Sequence, residues 1–373
     1  MTSNSLESCY EIVCQLRWHE MTKKERIRTA LAHREPDRVP MGELSIDPGF
    51  ANRFLGASYP GDYQHYERDR RVRERLGLDY VNMGDWPAYD LGVNEQGWRV
   101  YRSAYGDQYA DTGHSRHTVR PMVRSMEEAR AYRPPDPAQV KGDLVRAFAA
   151  DNDLFVFGQI GGPVTILDES LGMEGYMIAA LENTDEIQHL SEAVLTFEAQ
   201  KARILLDAGA DAIIVGDDIA FNTGPFLPPR VMRQVVYPLY RWLLQEIKRH
   251  RDVPVLMHSD GQLMPVLDEI VRCGFEGLHS LQPSAGMDIG EIKRRYGSAL
   301  TLMGNIDLDH VMTMAPPSEV RQVVSRTIDV AAPGGGFILG TCNTLIEAVP
   351  DTNALALYET GRAHPVYSRS APR

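Results

Sequence analysis

Short runs of apolar residues recur along the chain, and each is followed by polar residues and a helical pattern. Most of the runs are continuously apolar rather than alternating, which is typical of parallel strands buried on both faces. The runs cover residues 38–44, 78–85, 154–163, 210–218, 253–261, 275–283, 299–307 and 336–343. Eight strands that alternate with helices predict an α/β fold of the (β/α)8 TIM-barrel type. A doubly wound open sheet is the alternative.

A helix start signal precedes the first strand. Thr22 and Glu25 form a T-x-x-E capping box, and Pro36 ends the apolar helical pattern that follows. The first 20 residues do not share the later rhythm. The sequence therefore predicts an N-terminal arm over residues 1–20 and a single barrel domain over 21–373.

One segment interrupts the alternation of strands and helices. Residues 97–123 contain alternating apolar and polar positions, with turn signals at 106–107 and 111–113. This pattern predicts a β-hairpin inserted after the second strand. Because the insertion follows the C-terminal end of a strand, we expect it to lie over the mouth of the barrel.

The composition narrows the class of protein. The chain has 373 residues, enough for one α/β barrel, and 39 basic against 51 acidic residues give a net charge of −12. This balance argues against binding to nucleic acid or to an anionic membrane. No apolar run reaches the roughly 18 residues of a membrane span, and the start lacks the pattern of a secretory signal.

Motifs that the sequence lacks limit which cofactors and which cellular compartment we expect. The four cysteines form no CxxC pair, and we expect a cytoplasmic protein with reduced thiols. No GxGxxG follows the first strand, and GxxxxGK[ST] does not occur in the sequence, so no nucleotide cofactor is predicted.

Polar side chains follow nearly every predicted strand. In a barrel, the C-terminal ends of the strands meet at the face that carries the chemistry, which predicts an active site for a small-molecule substrate there. The polar residues at these ends are Glu43, Asn82, Asp85, Gln159, Asp217, Asp218, His258, Asp260, His279, Gln282, Asn305, Asp307, Cys342 and Asn343.

A metal site is one interpretation of these residues. His258 and Asp260 are two positions apart, so on an extended segment their side chains point the same way. Together with Cys342 they could supply nitrogen, oxygen and sulfur ligands to Zn²⁺, with one position left for substrate. The alternative is a neutral histidine hydrogen-bonded to a carboxylate, with Cys342 as a small buried hydrophobic residue.

Asp217 and Asp218 are adjacent carboxylates at the end of the fourth strand. Side chains of neighbouring strand residues point to opposite faces, so one of the two is expected to face the pocket. Its role would be that of a general acid, a general base or a clamp for a substrate cation. Capping of the following turn is the structural alternative.

Six segments together resemble the uroporphyrinogen decarboxylase-like superfamily, and the resemblance covers residues 21–365. The superfamily has the (β/α)8 fold, in agreement with the strand count. The segments are TKKERIRTALAHREPDRVP, GDDIAFNTGPFLPP, VPVLMHSDG, GFEGLHSLQPSAGMDIGEIKRRYG, LMGNIDLDHV and AAPGGGFILGTCN.

The resemblance to true decarboxylases is partial. Those enzymes need no cofactor and carry an arginine-rich R-Q-A-G-R-Y segment after the first strand, whereas this chain has the acidic MGELSIDPGF, residues 41–50. Asp85 stands approximately where the decarboxylases place a central aspartate. Their late histidine, in a Gly-His-Gly context, is replaced here by Cys342 in GTCN.

The resemblance to the corrinoid-linked methyltransferases is closer at the candidate metal site. That branch binds zinc through His-x-Cys and a distant cysteine; this chain matches it at His258 and Cys342 and has Asp260 in place of the first cysteine. The resemblance implies Zn²⁺ on His258, Asp260 and Cys342, and a methyl-corrinoid carried by a partner protein. One thiolate fewer makes the metal harder, which favours an ether oxygen, alcohol or water, and Glu43 could complete the site.

The first hypothesis is therefore a methyltransferase that moves a methyl group between a small methylated or methoxylated compound and a corrinoid protein. Cofactor-independent decarboxylation of uroporphyrinogen or a smaller carboxylated compound is the second, and a non-enzymatic tetrapyrrole- or corrinoid-binding barrel is the third. A homodimer stays open. The residues assigned to catalysis are Asp85, Asp217, Asp218, His258 and Asn305, and those assigned to substrate binding are Glu43, Asn82, Gln159, His279 and Gln282.

Overall fold

The fold is that of a computed structural model, which describes residues 20–61, 64–112, 116–151, 153–182, 184–365 and 367. The predicted N-terminal arm lies outside the described residues, apart from Glu20. Within the described part of the chain, no helix is both long enough and apolar enough to cross a membrane.

The strands are numbered in chain order. They are β1 (Ser45–Ile46), β2 (Tyr80–Gly84), β3 (Ala88–Val93), β4 (Arg99–Ser103), β5 (Gln108–Asp111), β6 (Arg116–Arg120), β7 (Phe155–Gly161), β8 (Ala212–Gly216), β9 (Ala220–Phe221), β10 (Gly224–Pro225), β11 (Val255–Ser259), β12 (Gly277–Ser280), β13 (Thr301–Ile306), β14 (Phe337–Thr341) and β15 (Thr344–Leu345).

The helices alternate with the strands of the main sheet. They are α1 (Lys23–Leu31), α2 (Pro48–Leu55), α3 (Tyr66–Leu76), α4 (Met126–Ala131), α5 (Asp143–Asp151), α6 (Pro163–Leu171), α7 (Met173–Glu182), α8 (Asp185–Asp207), α9 (Pro229–Val235), α10 (Tyr237–His250), α11 (Leu267–Cys273), α12 (Ile289–Tyr296), α13 (Pro317–Ala331) and α14 (Asp351–Ala363). Single short turns of other helix types occur at Pro137–Gln139, Pro283–Ala285 and Leu308–Met312.

A curved parallel sheet of seven strands, in the order β14-β13-β12-β11-β8-β7-β2, forms the centre of the molecule. Each of these strands lies within one of the predicted apolar runs, and all seven are almost wholly buried. The predicted α/β barrel-type fold is therefore confirmed. Its strands are apolar on both faces because one face meets the barrel interior and the other meets the helices.

The first predicted strand is the least regular one. It contains only an isolated bridge between Met41 and Leu339, flanked by hydrogen bonds from Leu339 N to Pro40 O (2.8 Å) and from Gly42 N to Leu339 O (3.0 Å). On its other side, Asp79 N donates to Met41 O (2.7 Å). The segment thus contacts both edges of the sheet and joins them. Pro40 has no N–H to donate, which limits the ladder at this point.

Two apolar layers hold the barrel together. The larger one lies between the sheet and the surrounding helices, and the smaller one fills the barrel interior. In the interior, Tyr80, Phe157 and Met303 pack with Ile27 and Ala30 of α1. Helix α1 therefore closes the N-terminal end of the barrel, and the C-terminal end remains for the site.

The insertion after β2 is larger than the predicted hairpin. Strands β3, β4, β5 and β6 form a four-stranded antiparallel sheet in sequence order, which begins at Ala88 rather than at residue 97. The additional strand β3 is exposed along its length and bulges between Asp90 and Gly92. The predicted turn at 106–107 connects β4 to β5, with Gly106 at a φ of 97°. Gly113, in the other predicted turn, lies outside the described residues.

Candidate active site

A cavity of about 770 Å³ lies at the C-terminal ends of the barrel strands. The strand ends line one side of it, and the four-stranded insertion lines the opposite side. Strand-end residues on the wall include Gln159, Gly161, Gly216, Asp217, Asp218, His258 and Asn343; the insertion contributes Ala88, Ser103, Ala104, Tyr105, Asp107, Tyr109, Arg116 and Thr118; helices α6 and α8 contribute Thr165, Ile166, Asp168, Glu169, Ser170, Phe197 and Lys201.

Three side chains at this end of the barrel form a candidate metal-binding group. Ligand atoms of Asp218, His258 and Asp260 all lie within 4.8 Å of one another. Strand register explains their meeting: His258 pairs with Gly216 across β11 and β8, so Asp260 and Asp218 each follow two residues later. His258 Nε2 is 3.9 Å from Asp218 Oδ1, which also accepts a hydrogen bond from Asp260 N at 2.8 Å.

The Asp260 carboxylate is oriented by its neighbours. Asn343 donates its side-chain amide to Oδ2, while Oδ1 is buried and has no well-directed hydrogen bond from any residue that the structure describes. Burial raises the pKa of Asp260, although the nearby His258 opposes this shift. Ser280 lies close by, but its hydroxyl likewise lacks a well-directed partner. An unpartnered buried carboxylate oxygen is suited to receive a cation or a proton donor.

His279 lies directly behind His258. The two Nδ1 atoms are 2.8 Å apart, and the rings are tilted by 41° with their centroids 5.0 Å apart. His279 is buried, and this burial, assisted by repulsion from His258, holds the pKa of His279 well below its usual value. His279 therefore contacts the site through His258 and does not line the cavity.

Asp217 is bound to the start of α6. Its carboxylate accepts hydrogen bonds from the backbone N–H groups of Val164 (3.3 Å) and Thr165 (2.6 Å) and from the Tyr240 hydroxyl (2.5 Å). The residue at the N-cap of α6, Gly162, has no side chain to make such bonds, and a Cβ there would lie 2.2 Å from Asp217 Cγ. Burial raises the pKa of Asp217 to about 7. Of the adjacent pair, it is Asp218 that joins the metal-binding group.

Amide side chains connect the neighbouring strand ends. Asn82 donates to Gln159 Oε1 at 2.7 Å and to Leu44 O at 3.2 Å, and Gln159 reaches the cavity. Gln282 Oε1 accepts a hydrogen bond from Gly261 N at 3.0 Å, which fixes the turn that follows Asp260. These three amides position the wall of the cavity and the ends of the strands.

Glu43 and Asp85 are placed away from the cavity wall. Glu43 is fully buried on the helix side of the barrel, where its carboxylate accepts hydrogen bonds from Thr341 N (3.0 Å) and from the Tyr358 hydroxyl. Burial raises the pKa of Glu43 to about 7. Asp85 accepts hydrogen bonds from the backbone N–H of Lys141 (2.7 Å) and of residue 142 (2.9 Å), and it thereby anchors the segment before α5.

Asn305 and Cys342 are also absent from the cavity lining. Asn305 donates its side-chain amide to Leu281 O at 2.5 Å, an interaction between neighbouring strand ends. Cys342, the sulfur ligand expected from the sequence, does not belong to the metal-binding group of described residues. Burial raises the pKa of its thiol to about 12.

Lys201 is a site residue that the sequence did not reveal. It lies on α8, is fully buried, and places Nζ 3.2 Å from the Trp86 ring centroid and 3.4 Å from Glu198 Oε2. Burial lowers the pKa of Lys201 against the opposing effect of Glu198. Tyr105 of the insertion donates its hydroxyl to Glu198, so the cluster ties the insertion to α8. An apolar helix pattern contains no signal for such a lysine, since the pattern does not show which buried position faces a cavity.

The charged side chains of the cavity wall are mainly acidic. Arg116 and Lys201 are the cations, and Lys201 is already paired with Glu198. Burial raises the pKa of Asp107, Asp168 and Glu169, so these groups hold their protons more tightly than exposed carboxylates do. The wall carboxylates are Asp107, Asp168, Glu169, Asp217 and Asp218.

Comparisons with known proteins agree with this architecture. The family model described as uroporphyrinogen decarboxylase (URO-D) matches residues 109–364. Among solved structures, a methyltransferase from Methanosarcina mazei superposes with a TM-score of 0.70 at 20% identity and covers 92% of this chain and 99% of that one. At this identity the superposition shows a shared fold.

Curated relatives fall into two groups of enzymes. The methylcobamide:CoM methyltransferase MtaA of Methanosarcina barkeri is 27% identical over 337 residues, which are 85% of this chain and 93% of that protein. A uroporphyrinogen decarboxylase of Dechloromonas aromatica is 22% identical over 313 residues, which are 80% of this chain and 77% of that protein. These relatives are thus a methyltransferase and a decarboxylase.

Proposed function

We propose that this chain, which belongs to the uroporphyrinogen decarboxylase (URO-D) family, is a methyltransferase. It moves a methyl group between a small methylated or methoxylated compound and a corrinoid that a partner protein carries. Similarity to the methylcobamide:CoM methyltransferase MtaA over 85% of the chain supports this proposal.

The observation that carries the choice between the two activities of the family is the charge of the cavity wall. A tetrapyrrole with many carboxylates needs cationic partners to compensate its desolvation. The wall offers only two cations, Arg116 and Lys201, and Lys201 is already paired with Glu198; its five carboxyl groups are neutral or negative according to their protonation and compensate no anion. A wall with so few cations disfavours a polyanion and accepts a neutral or cationic small molecule.

The candidate metal-binding group fits Zn²⁺ by its donor set. His258 Nε2, an Asp218 oxygen and the unpartnered Asp260 Oδ1 would hold the ion, and Cys342 stays a predicted sulfur ligand. When bound, zinc supplies a Lewis acid to the heteroatom that carries the methyl group. Nitrogen and oxygen ligands make a harder site than thiolates do, and this favours an ether oxygen over a thiol.

A side chain near this site would supply the proton that the heteroatom takes up when it loses its methyl group. Asp168 lines the cavity, and its Oδ1 is buried without a hydrogen-bond partner in the described part of the chain. Burial and the nearby Asp218 raise the pKa of Asp168, which favours a proton on its carboxyl group. Asp168 would donate that proton to the heteroatom as the methyl group leaves.

Decarboxylation is the alternative, and an Asp85-centred version of it has little structural support. The Asp85 carboxylate is engaged by the backbone N–H groups that precede α5 and does not line the cavity. No contact within the described residues favours the third hypothesis, a barrel that binds a tetrapyrrole or corrinoid without turnover.

Metal analysis combined with two assays tests the proposal. The protein is purified without chelator, its metal content is measured, and methyl transfer from a panel of methoxylated and methylated compounds to a cobamide is followed. We expect bound zinc, methyl transfer, and loss of both in His258→Ala, while the control His250→Ala on the outer helix α10 keeps them. A folded, metal-free protein whose His258→Ala variant remains active would contradict the proposal, and conversion of uroporphyrinogen to coproporphyrinogen would establish the alternative.

A further inference from the structure

We propose that Trp86 is a stacking platform for the substrate and that the methylated compound is a neutral aromatic methyl ether. The inference rests on the proposed function for the methoxy group and its transfer. The platform itself is a property of the cavity wall, and ligand binding without metal or corrinoid decides it.

The ends of two neighbouring strands fix the position of the Trp86 indole. Trp86 follows β2, and a Cβ on Gly84, the last residue of β2, would lie 2.4 Å from the indole Nε1. A Cβ on Gly161, the last residue of β7, would lie 3.5 Å from Cζ3 of the same ring. Glycine at position 84 thus leaves the space that the indole occupies, and the ring lies against the ends of β2 and β7.

Lys201 covers one face of the Trp86 ring. Its Nζ is 3.2 Å from the ring centroid and 3.4 Å from Glu198 Oε2, which holds the ammonium in place. Trp86 is nevertheless 41% exposed and lines the cavity. The face opposite Lys201 is therefore the one that a molecule in the cavity can reach.

The ammonium behind the ring selects among the ligands that could stack on it. A cation is attracted to the face of an aromatic ring, but Lys201 already occupies that position and would repel a second cation on the opposite face. A neutral planar ring meets no such repulsion and gains the stacking interaction. Tyr105 and Phe197 add aromatic surface to the cavity wall, with their ring centroids 5.6 Å apart. The wall thus favours a flat neutral ring over a methylated ammonium compound.

The strand register sets the distance from the platform to the candidate metal-binding group. Gly161 pairs with Gly216, and Gly216 pairs with His258, so the two places are about two strand spacings, roughly 10 Å, apart. A ring on Trp86 can direct its methoxy group across this interval. The product would be a phenol: the C–O bond breaks, the oxygen keeps the bonding electron pair and takes up a proton, and the methyl group passes to the reduced corrinoid, which supplies the electron pair of its new bond.

Two methyl ethers that differ only in the saturation of the ring test the platform. Methoxybenzene and methoxycyclohexane are titrated into chelator-treated protein, and the dissociation constants are obtained by ligand-observed NMR. We expect methoxybenzene to bind about 3- to 10-fold tighter, and Trp86→Leu to bring the two constants within about twofold of each other. Trp242→Leu, at a tryptophan of nearly equal exposure on α10, is the matched control and should keep the preference of the parent chain.

Indole ¹H–¹⁵N signals of the parent chain give a second readout that needs no folded leucine variant. Methoxybenzene should shift the signal of Trp86, assigned with Trp86→Phe, and leave that of Trp242 in place. Equal affinities for the two ethers, or a preference that persists in a folded Trp86→Leu variant, overturns the platform. Tighter binding of tetramethylammonium than of methoxybenzene overturns the choice of a neutral ring.

Turnover keeps this inference separate from the proposed function. Release of phenol from methoxybenzene in the presence of a reduced cobamide, followed by chromatography, measures methyl transfer independently of binding. Methyl transfer without an aromatic preference overturns the inference and leaves the methyltransferase proposal intact. An aromatic preference that Trp86→Leu abolishes, without methyl transfer from any of the compounds, supports the platform and contradicts the proposed function.

Discussion

Asn343 holds the Asp260 carboxylate by Oδ2 and leaves Oδ1 of the same group buried and unpartnered among the described residues. This contact joins the segment after β14 to the segment after β11, across the mouth of the barrel. It explains how an aspartate at the end of a strand keeps one orientation while its second oxygen stays available. The first prediction concerns this oxygen.

Asp260→Asn is expected to abolish most zinc binding, because a neutral amide replaces a carboxylate ligand and its NH₂ group repels a cation. Asp260→Cys is expected to keep zinc binding, since a thiolate is a good zinc ligand. Metal content after gel filtration and turnover of a methoxylated compound would be measured together. Equal zinc content in the parent chain and Asp260→Asn would rule out Asp260 as a ligand.

Asp218 and Cys342 are the two candidates for the third zinc ligand, beside His258 and Asp260. In the structure Asp218, and not Cys342, belongs to the group of close ligand atoms. Asp218→Asn is therefore expected to lower zinc affinity by at least tenfold, whereas Cys342→Ser should change it less than threefold, with both compared by chelator competition. The reverse order of effects would show that the sulfur ligand expected from the sequence is the correct one.

Glu43 makes the stability of the fold depend on pH. Its folded-state pKa of about 7 lies above the usual 4.5, because burial outweighs the hydrogen bonds from Thr341 and Tyr358. Between these pH values the folded protein keeps a proton that the unfolded chain releases, so stability falls as pH rises. Relative to Glu43→Gln, the parent chain should lose about 3 kcal/mol of unfolding free energy between pH 4.5 and pH 7.

Chemical denaturation at several pH values measures this difference. The matched control is Glu319→Gln, the same substitution at an exposed position of α13, which should follow the parent chain across the whole range. Parallel stability curves for the parent chain and Glu43→Gln would mean that folding does not raise the pKa of Glu43.

Tyr105 fastens the insertion to the barrel through its hydrogen bond to buried Glu198. Tyr105→Phe removes a donor from a buried carboxylate and should lower the unfolding free energy by about 1–3 kcal/mol. Amide hydrogen exchange within β3–β6 should rise at the same time. Tyr89→Phe, which loses a hydrogen bond to Gln139 at an exposed position, is the control and should change stability by less than about 0.5 kcal/mol.

Hydrophobic patterning predicted most of the fold because the barrel strands have a strong and simple signal. Continuous apolar runs located β7, β8 and β11 within a few residues, since burial on both faces leaves little room for polar side chains. Strand β3 was missed because all its residues are exposed and Gly92 interrupts its alternation. A strand that is exposed along its length needs no alternation of apolar and polar residues, so hydrophobic patterning does not reveal it.

The candidate site was predictable only as far as it lies on the strand ends. His258 lies at the end of β11, Asp260 and Asp218 follow β11 and β8, and the register of these parallel neighbours brings the three together. Asp168 and Lys201 come from helices, where nothing in the local sequence indicates which buried or half-buried position meets a cavity. The apolar run around Glu43 is too short to show which side of the barrel its side chain faces. In the structure it faces the helices rather than the cavity.

The closed lower end of the barrel has a kinetic consequence. Ile27 and Ala30 of α1 close the interior beneath Tyr80 and Met303. In the described fold, molecules can therefore enter the barrel only at the C-terminal ends of its strands. In the proposed methyl transfer the small methyl donor must bind first, beneath the bulky carrier of the acceptor, and both must be present together because no residue is proposed to hold the methyl group between them. Double-reciprocal plots at several acceptor concentrations should therefore intersect, as they do when both reactants bind before either product leaves, and parallel plots would contradict direct transfer.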